Sequence, residues 1–159
     1  MLWHVWIGRF VVEAATADTV DLGEVHPPKQ ESIKLFEEIE KELKHELIKL
    51  RHMHDKHEPE YFAAVKDLSD KELTSFTVDD FLQVRVAVAS YGIILFGKLR
   101  IPTMPADGPA YVHFRAFSTG PDDPAKFHSF LTEMKEEQGG GKTFRAIFTD
   151  KDELEWFDN

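Results

Sequence analysis

Residues 29–52 constrain the fold more than any other part of the chain, because their apolar side chains repeat with the period of an α-helix. The repeating positions are Leu35, Ile39, Leu43, Leu47 and Leu50, with Ile33 and Phe36 widening the stripe. A stripe of this period forms one face of an amphipathic helix of about five or six turns. That face must be buried, so the chain needs a second layer of structure to cover it.

The second layer is predicted to be an antiparallel β-sheet. Apolar residues alternate with polar or small ones at 84–88 and at 95–101, on the two sides of Ser90-Tyr91-Gly92, which predicts a hairpin. Residues 111–117 and 143–148 alternate in the same way and predict two further strands. A long helix followed by about four or five antiparallel strands indicates an α+β fold in which the helix covers the sheet.

A second, shorter helix is predicted over residues 124–138. Asp123 is a suitable N-cap residue, and Pro124 suits the first position of a helix. Apolar residues then follow with helical spacing at Phe127, Phe130, Leu131 and Met134. This face ends before the three consecutive glycines at 139–141, where a helix is expected to stop.

Composition and charge limit the classes of function. The chain has 159 residues, of which 42% are hydrophobic, so a single domain over residues 1–159 is expected. It carries 29 acidic and 19 basic residues and a formal charge of −10. This charge disfavours nucleic acid and anionic membrane surfaces as partners, because both are themselves negatively charged.

The absence of cysteine from the sequence excludes disulfides, thiolate-bound metals and a thiol nucleophile. It also fits a reducing compartment, and we expect a cytoplasmic protein. No stretch approaches the roughly 18 to 20 consecutive apolar residues that span a bilayer. The apolar start of the chain contains His4 and Arg9 and lacks a positively charged first segment, so a buried strand, or an extra segment packed on the core, is expected there rather than a signal peptide.

Motifs typical of enzymes and of cofactor sites are not found. His52, His54 and His57 lie close together in a polar stretch, with His45 earlier, and are interpreted as surface residues rather than metal ligands. Residues 139–143 end like a phosphate-binding loop, but a strand follows them where such a loop requires a helix. No serine has the Gly-x-Ser-x-Gly context of a nucleophile elbow. We therefore expect no enzymatic activity, no metal and no cofactor.

Three segments, together with the long helix, carry a resemblance to a known family. Residues 22–28 read LGEVHPP and precede the helix, residues 111–117 read YVHFRAF, and residues 152–157 read DELEWF. In this order they resemble the cystatin superfamily, and within it the stefin type of cysteine-free inhibitor. The stefin N-terminal trunk has a glycine before the helix, one stefin strand is similar to YVHFRAF, and the stefin C-terminus is similar to DELEWF.

The resemblance implies a cystatin-like fold and reversible, competitive inhibition of papain-like cysteine proteases of the cathepsin type. Members of the family insert a wedge into the protease cleft, and the wedge consists of the trunk and two hairpin loops. By position, the resemblance assigns Gly23 to the trunk and Gly120 and Pro121 to the second loop. It assigns to the first loop Val88, Ala89, Ser90, Tyr91 and Gly92. Residues 22–159 are then the cystatin-like core, and residues 1–21 are an N-terminal extension.

The chain departs from the family pattern at several places. Its first loop reads VASYG where the family reads QVVAG, and residues 83–87 are an alternative counterpart that lacks the glycine. Residues 1–21, residues 68–80 and the helix predicted at 124–138 are additions. The alternative function is therefore a non-inhibitory protein-binding module of cystatin fold, which presents the helix at 124–138 to a partner. Either a monomer or a dimer that swaps strands across the first loop is compatible with the sequence.

Overall fold

The computed structural model describes residues 3–7, 10–14, 21–120 and 122–158, with the first two ranges described by their backbone alone. The helices in these ranges are α1 (Gln30–His57) and α2 (Asp70–Leu73), with 3₁₀ helices at Pro59–Val65 and Val78–Asp80. The strands are β1 (Trp3–Ile7), β2 (Phe10–Ala14), β3 (Phe81–Ala89), β4 (Gly92–Arg100), β5 (Tyr111–Ser118), β6 (Lys126–Phe130), β7 (Glu133–Glu136) and β8 (Lys142–Arg145).

The N-terminal apolar stretch forms a two-stranded antiparallel sheet. Strands β1 and β2 pair from Trp3 opposite Ala14 to Ile7 opposite Phe10. The strand structure predicted for this stretch is therefore present. Its predicted packing on the core lies outside what the structure describes.

Helix α1 confirms the predicted apolar stripe and extends beyond residue 52 to His57. Its buried residues are Ser32, Leu35, Phe36, Ile39, Leu43, Leu47 and Arg51. The ring of Phe36 stacks on that of Phe81 in the sheet, with 5.2 Å between their centroids. The last turns are stabilised by contacts with the 3₁₀ helix that follows, where the ring of His54 lies 4.2 Å from that of Tyr61.

Arg51 is a buried cation near the end of α1, with 6% of its surface exposed. It donates hydrogen bonds to the carbonyl of Leu68 at 2.6 Å and to the carboxylate of Asp70. The hydrogen bond from Arg51 is the main reason why the pKa of Asp70 lies below its usual value, and a hydrogen bond with His52 adds to it. These contacts attach the segment after the helix to α1.

Asp70→Asn is expected to lower the free energy of unfolding by about 1–3 kcal/mol, because it leaves a buried guanidinium without its counter-charge. Solvent at the Asp70 side chain, which is 39% exposed, keeps the loss below that of a fully buried pair. Chemical denaturation at neutral pH measures the effect. Asp67→Asn is the matched control, since Asp67 is exposed and its replacement should cost less than about 0.5 kcal/mol. Equal losses in the two variants would contradict the prediction.

The main sheet has the strand order β3-β4-β5-β6, and all neighbouring strands are antiparallel. The face that packs on α1 buries residues of the first three strands, namely Val84, Leu95, Leu99, Val112, Phe114 and Ala116. The α+β fold class and the arrangement of one long helix on a four-stranded antiparallel sheet are thus confirmed. The predicted hairpin around Ser90 and the predicted strand at 111–117 are confirmed as well.

The helix predicted at 124–138 is wrong, because this segment forms the strands β6 and β7. β6 pairs with the outer edge of β5, from Phe114 opposite Phe130 to Phe117 opposite Lys126. β7 pairs with β8 across the glycines, of which Gly139 and Gly140 have positive φ angles of 100° and 93°. Without β6, the edge of β5 would leave its backbone groups unpaired, and this long-range demand overrides the local helical spacing.

The strand predicted at 143–148 is confirmed only in part. Regular strand structure in β8 ends at Arg145, and Phe148 makes a single antiparallel bridge to Tyr111. β8 belongs to the small sheet with β7, so the fourth strand of the main sheet is β6 instead.

The outer face of the main sheet is covered by residues 149–158, which we call the C-terminal strap. Its Leu154 and Phe157 are buried against Ala87, Ile94 and Phe96, on the face opposite to α1. Three basic side chains of the sheet donate to backbone carbonyls of the strap, namely Arg85 to Leu154, Lys98 to Asp150 and Asp152, and Arg115 to Phe157. The strap therefore serves as the second covering layer of the sheet.

Candidate functional site

The three segments that the resemblance assigns to a wedge lie at one end of the main sheet. The first loop is the tight turn between β3 and β4, where Ala89 pairs with Gly92. Ser118, just before the second loop, pairs with Ile93 beside that turn. The trunk, residues 22–28, runs antiparallel to β3 with Leu22 opposite Ala87. The register therefore brings Gly23, the first loop and Gly120 to the same end, while Pro121 lies outside the described residues.

Gly92 is the point of contact between the two loops. Its φ angle is +150°, a conformation that residues with a side chain rarely adopt. A Cβ atom there would lie 2.1 Å from the carbonyl oxygen of Ser118 and 2.9 Å from the Cα of Thr119. The close approach of the first loop to the second therefore requires glycine at this position.

Two large apolar side chains are exposed at the first loop. Six large apolar side chains are exposed in the part of the chain whose side chains are described, and three of them belong to the trunk and the first loop. They are Val88 at 72%, Tyr91 at 43% and Val25 at 40% exposure. Val25 lies in the trunk beside the middle of β3, next to His26 opposite Val84. At the first loop a partner is offered two exposed apolar side chains, Val88 at the end of β3 and Tyr91 in the turn.

The trunk is held on the edge of β3 by backbone hydrogen bonds. The amide of Gly23 donates to the carbonyl of Val86 at 2.9 Å. Further along, His26 and Val84 exchange a pair of bonds of 3.0 and 2.9 Å. A Cβ atom at Gly23 would lie 3.0 Å from the carbonyl oxygen of Val86, so the close contact leaves little room for a larger residue. The trunk thus acts as an additional edge strand of the main sheet.

Residues 83–87, the alternative counterpart of the first loop, do not form a loop. They lie within β3, paired with β4 on one side and bridged by the trunk on the other. Of the two segments considered for the first loop, 83–87 and 88–92, only residues 88–92 include a turn.

The second loop is fixed at its far end to helix α1. The amide of Ala125 donates to the carboxylate of Glu38 at 2.6 Å, and within the loop Thr119 donates to Asp123 at 3.1 Å. An open groove of about 470 Å³ lies between the second loop, the start of β4 and the first turns of α1, and Gly92 and Gly120 are among the residues that line it.

The histidines considered as metal ligands lie on α1 rather than in a loop. His52 shares a hydrogen bond of 2.8 Å with Asp70, while His54 packs on Tyr61, and burial lowers the pKa of His54. In the part of the chain that the structure describes, no three histidine or carboxylate side chains lie close enough together to hold a metal ion.

Arg85 enters the sequence analysis only within the alternative counterpart 83–87 and has no role of its own there, yet it contacts the trunk directly. Its Nε donates to the carbonyl of Gly23 at 2.7 Å. The sequence signal for it is a single basic residue within a valine-rich strand. That signal is weak, since strands at a protein surface often carry such residues on their solvent face.

In comparisons with known proteins, no protein-family model, no curated protein and no solved structure matches the chain. Among the described residues, none of the helices combines the length and the apolar character that crossing a membrane demands. A function for the protein therefore rests on the geometry of this end of the sheet together with the resemblance.

Proposed function

We propose that the protein is a cystatin-like inhibitor of the stefin type, which blocks the active-site cleft of papain-like cysteine proteases reversibly and competitively. The observation that carries the proposal is the meeting of the trunk, the first loop and the second loop at one end of the sheet. The order of elements along the chain supports it too, since a trunk, a long helix and successive antiparallel hairpins follow one another as in the family.

The wedge acts by shape and apolar contact, without covalent chemistry. Val88 at the end of β3 and Tyr91 in the tight turn are already exposed and fixed by the hairpin, so little conformational entropy is lost when they enter a cleft. The trunk and the second loop contact the cleft on either side of the first loop. In this arrangement no peptide bond of the inhibitor is presented to the catalytic thiolate, so the complex dissociates with the inhibitor intact.

The alternative of a binding module that presents a helix at 124–138 has lost its central element, because that segment is β6 and β7. A non-inhibitory scaffold would then have to use another surface. The exposed apolar side chains at the wedge end favour the inhibitor over it.

Steady-state inhibition of papain and of a cathepsin L-type enzyme tests the proposal. We expect inhibition in the nanomolar to low micromolar range, competitive with a peptide substrate, by the full chain or by a version that begins at Leu22. A difference between the two versions would assign a modulating role to residues 1–21. If neither version inhibits at about 100 μM, far weaker than an inhibitory interface of standard size, the proposal is wrong for these proteases.

A further inference from the structure

One side chain, Arg85, joins the trunk to the C-terminal strap. From β3 its Nε donates to the carbonyl of Gly23 at 2.7 Å, and its Nη1 donates to the carbonyl of Leu154 at 3.0 Å. These two carbonyls belong to segments 62 and 69 residues away from Arg85 in the sequence. The planar guanidinium, with five donors in a fixed arrangement, is the side chain best suited to bridge two carbonyls at once.

The bridge acts on the part of the trunk that the proposed function uses. Gly23 has its amide bonded to the carbonyl of Val86, and Arg85 binds its carbonyl, so both backbone groups of this residue are held. Leu22, its neighbour, is half-buried against the apolar cluster that contains Leu154 and Phe157. The trunk therefore contacts the strap in two ways, through Arg85 and through Leu22.

A segment held at the edge of a sheet by a few backbone hydrogen bonds separates easily, because few contacts oppose local opening. A trunk that opens must be ordered again when it enters a protease cleft, and this ordering reduces the affinity. A residue that holds Gly23 in place before binding removes that loss.

We propose that Arg85 is a positioning residue that fixes the trunk glycine at the candidate site, with its guanidinium oriented by the carbonyl of Leu154 in the C-terminal strap. The consequence for inhibition rests on the proposed function, whereas the order of the trunk does not. Arg85 is therefore tested by two measurements, of which one needs no protease.

The first measurement is hydrogen exchange of the Gly23 amide, followed by NMR on the full chain. We expect this amide to exchange at least about tenfold faster in Arg85→Gln than in the wild type, because opening of the trunk becomes easier. Arg115→Gln is the matched control, since Arg115 binds the strap at Phe157 but has no bond to the trunk. There the Gly23 amide should stay within about twofold of the wild-type rate. In Arg85→Lys the exchange rate of the Gly23 amide should lie between those of the wild type and Arg85→Gln, because a single ammonium group replaces a guanidinium that reaches both carbonyls.

The second measurement is the inhibition constant of the same variants against papain. Arg85→Gln should weaken inhibition about tenfold and Arg115→Gln less than about twofold, with Arg85→Lys between the two. Unchanged inhibition in a variant whose Gly23 exchanges faster would overturn the role of Arg85 in binding.

The exchange data decide the positioning role even where no protease is inhibited. Equal Gly23 exchange in the wild type and Arg85→Gln would overturn it. The positioning role is also overturned if the amides of β4 and β5 accelerate as much as that of Gly23, because Arg85 would then only stabilise the whole fold. If the wild type does not inhibit the protease but the Gly23 amide exchanges faster in Arg85→Gln, the proposed function is wrong and the positioning role is supported.

Discussion

Val88→Asp is expected to weaken inhibition of a papain-like protease by about 100-fold, which corresponds to about 2.7 kcal/mol, while the stability of the free protein stays nearly unchanged. Val88 is 72% exposed, so its replacement removes little from the core. In the complex, however, the new carboxylate must leave water for an apolar cleft without a counter-charge, and this desolvation is costly. The loss therefore falls on the complex and not on the fold.

Leu82→Asp supplies the matched control. Leu82 lies on the same strand, β3, at the end away from the wedge, and it is 40% exposed. This variant adds the same charge and removes a similar apolar side chain, and we expect it to inhibit within about threefold of the wild type. Thermal unfolding of both variants checks that they are folded. If Val88→Asp inhibits as well as Leu82→Asp, the first loop does not enter the cleft.

Val88 is a better probe of this site than Gly92. Any side chain at Gly92 would collide with the backbone of Ser118 and would require a strained φ angle. Such a variant moves both loops and lowers stability, so a loss of inhibition would not distinguish contact with the protease from distortion of the fold. Val88 projects from a regular strand and avoids both problems.

The parts of the fold that the sequence predicts correctly are those whose burial is set by local periodicity. The stripe of α1 and the positions of β3, β4 and β5 appear in the structure as predicted, because one face of each element meets the core under α1. The alternation in β4 and β5 does not indicate that their other face is also buried, under the C-terminal strap, where Lys98 and His113 lie. The helix predicted over residues 124–138 is wrong for the opposite reason. Phe127 and Phe130 are three residues apart, which fits a helical face and not a regular strand. In β6 both reach the core because the pairing with β5 shifts register between them, and the free edge of β5 that imposes this pairing is contained in no local pattern.

The same distinction applies to the end of α1 and to the candidate site. The last turn of α1, up to His57, packs through His54 on Tyr61, and Arg51 attaches the following segment at Asp70, 19 residues further along the chain. The period of apolar residues carries no trace of either contact. Gly92 is assigned from a motif at a turn, which is local. The contact of Arg85 with Gly23 spans 62 residues and depends on the register of the trunk, so it requires the three-dimensional structure.

His113 makes the stability of the fold depend on pH. It lies on the outer face of β5 with 1% of its surface exposed, and its ring stacks on that of Phe148 at 4.9 Å between centroids. Neither of its ring nitrogens has a hydrogen-bond partner among the described residues. Burial, together with the nearby positive charge of Lys98, lowers the pKa of His113 from 6.5 to about 3. The imidazole is therefore neutral in the folded protein at physiological pH.

The sign of the effect follows from which state binds the proton. Between pH 6.5 and about 3 the unfolded chain protonates His113 and the folded protein does not, so stability falls as the pH falls through this window. The loss approaches about 1.4 kcal/mol per pH unit well below pH 6.5, and it amounts to about 1.6 kcal/mol between pH 6.5 and pH 5. Asp70 and Asp152, whose pKa values are also lowered, lose their stabilising contributions only below their ordinary pKa of 3.8. The slope between pH 5 and 6.5 thus reports on histidine.

His113→Phe is expected to remove most of this slope and to be no less stable than the wild type at pH 7. The new ring keeps the stacking on Phe148 and eliminates two buried nitrogens that lack partners among the described residues. Urea unfolding at pH 5 and pH 7 measures the change, with an expected gain of about 2 kcal/mol at pH 5 relative to the wild type. His128→Phe is the control, because burial lowers the pKa of His128 as well but this side chain is more accessible to solvent. His128→Phe should therefore remove a smaller part of the dependence of stability on pH. If His113→Phe keeps the full wild-type dependence between pH 5 and pH 7, the imidazole of His113 is not its source.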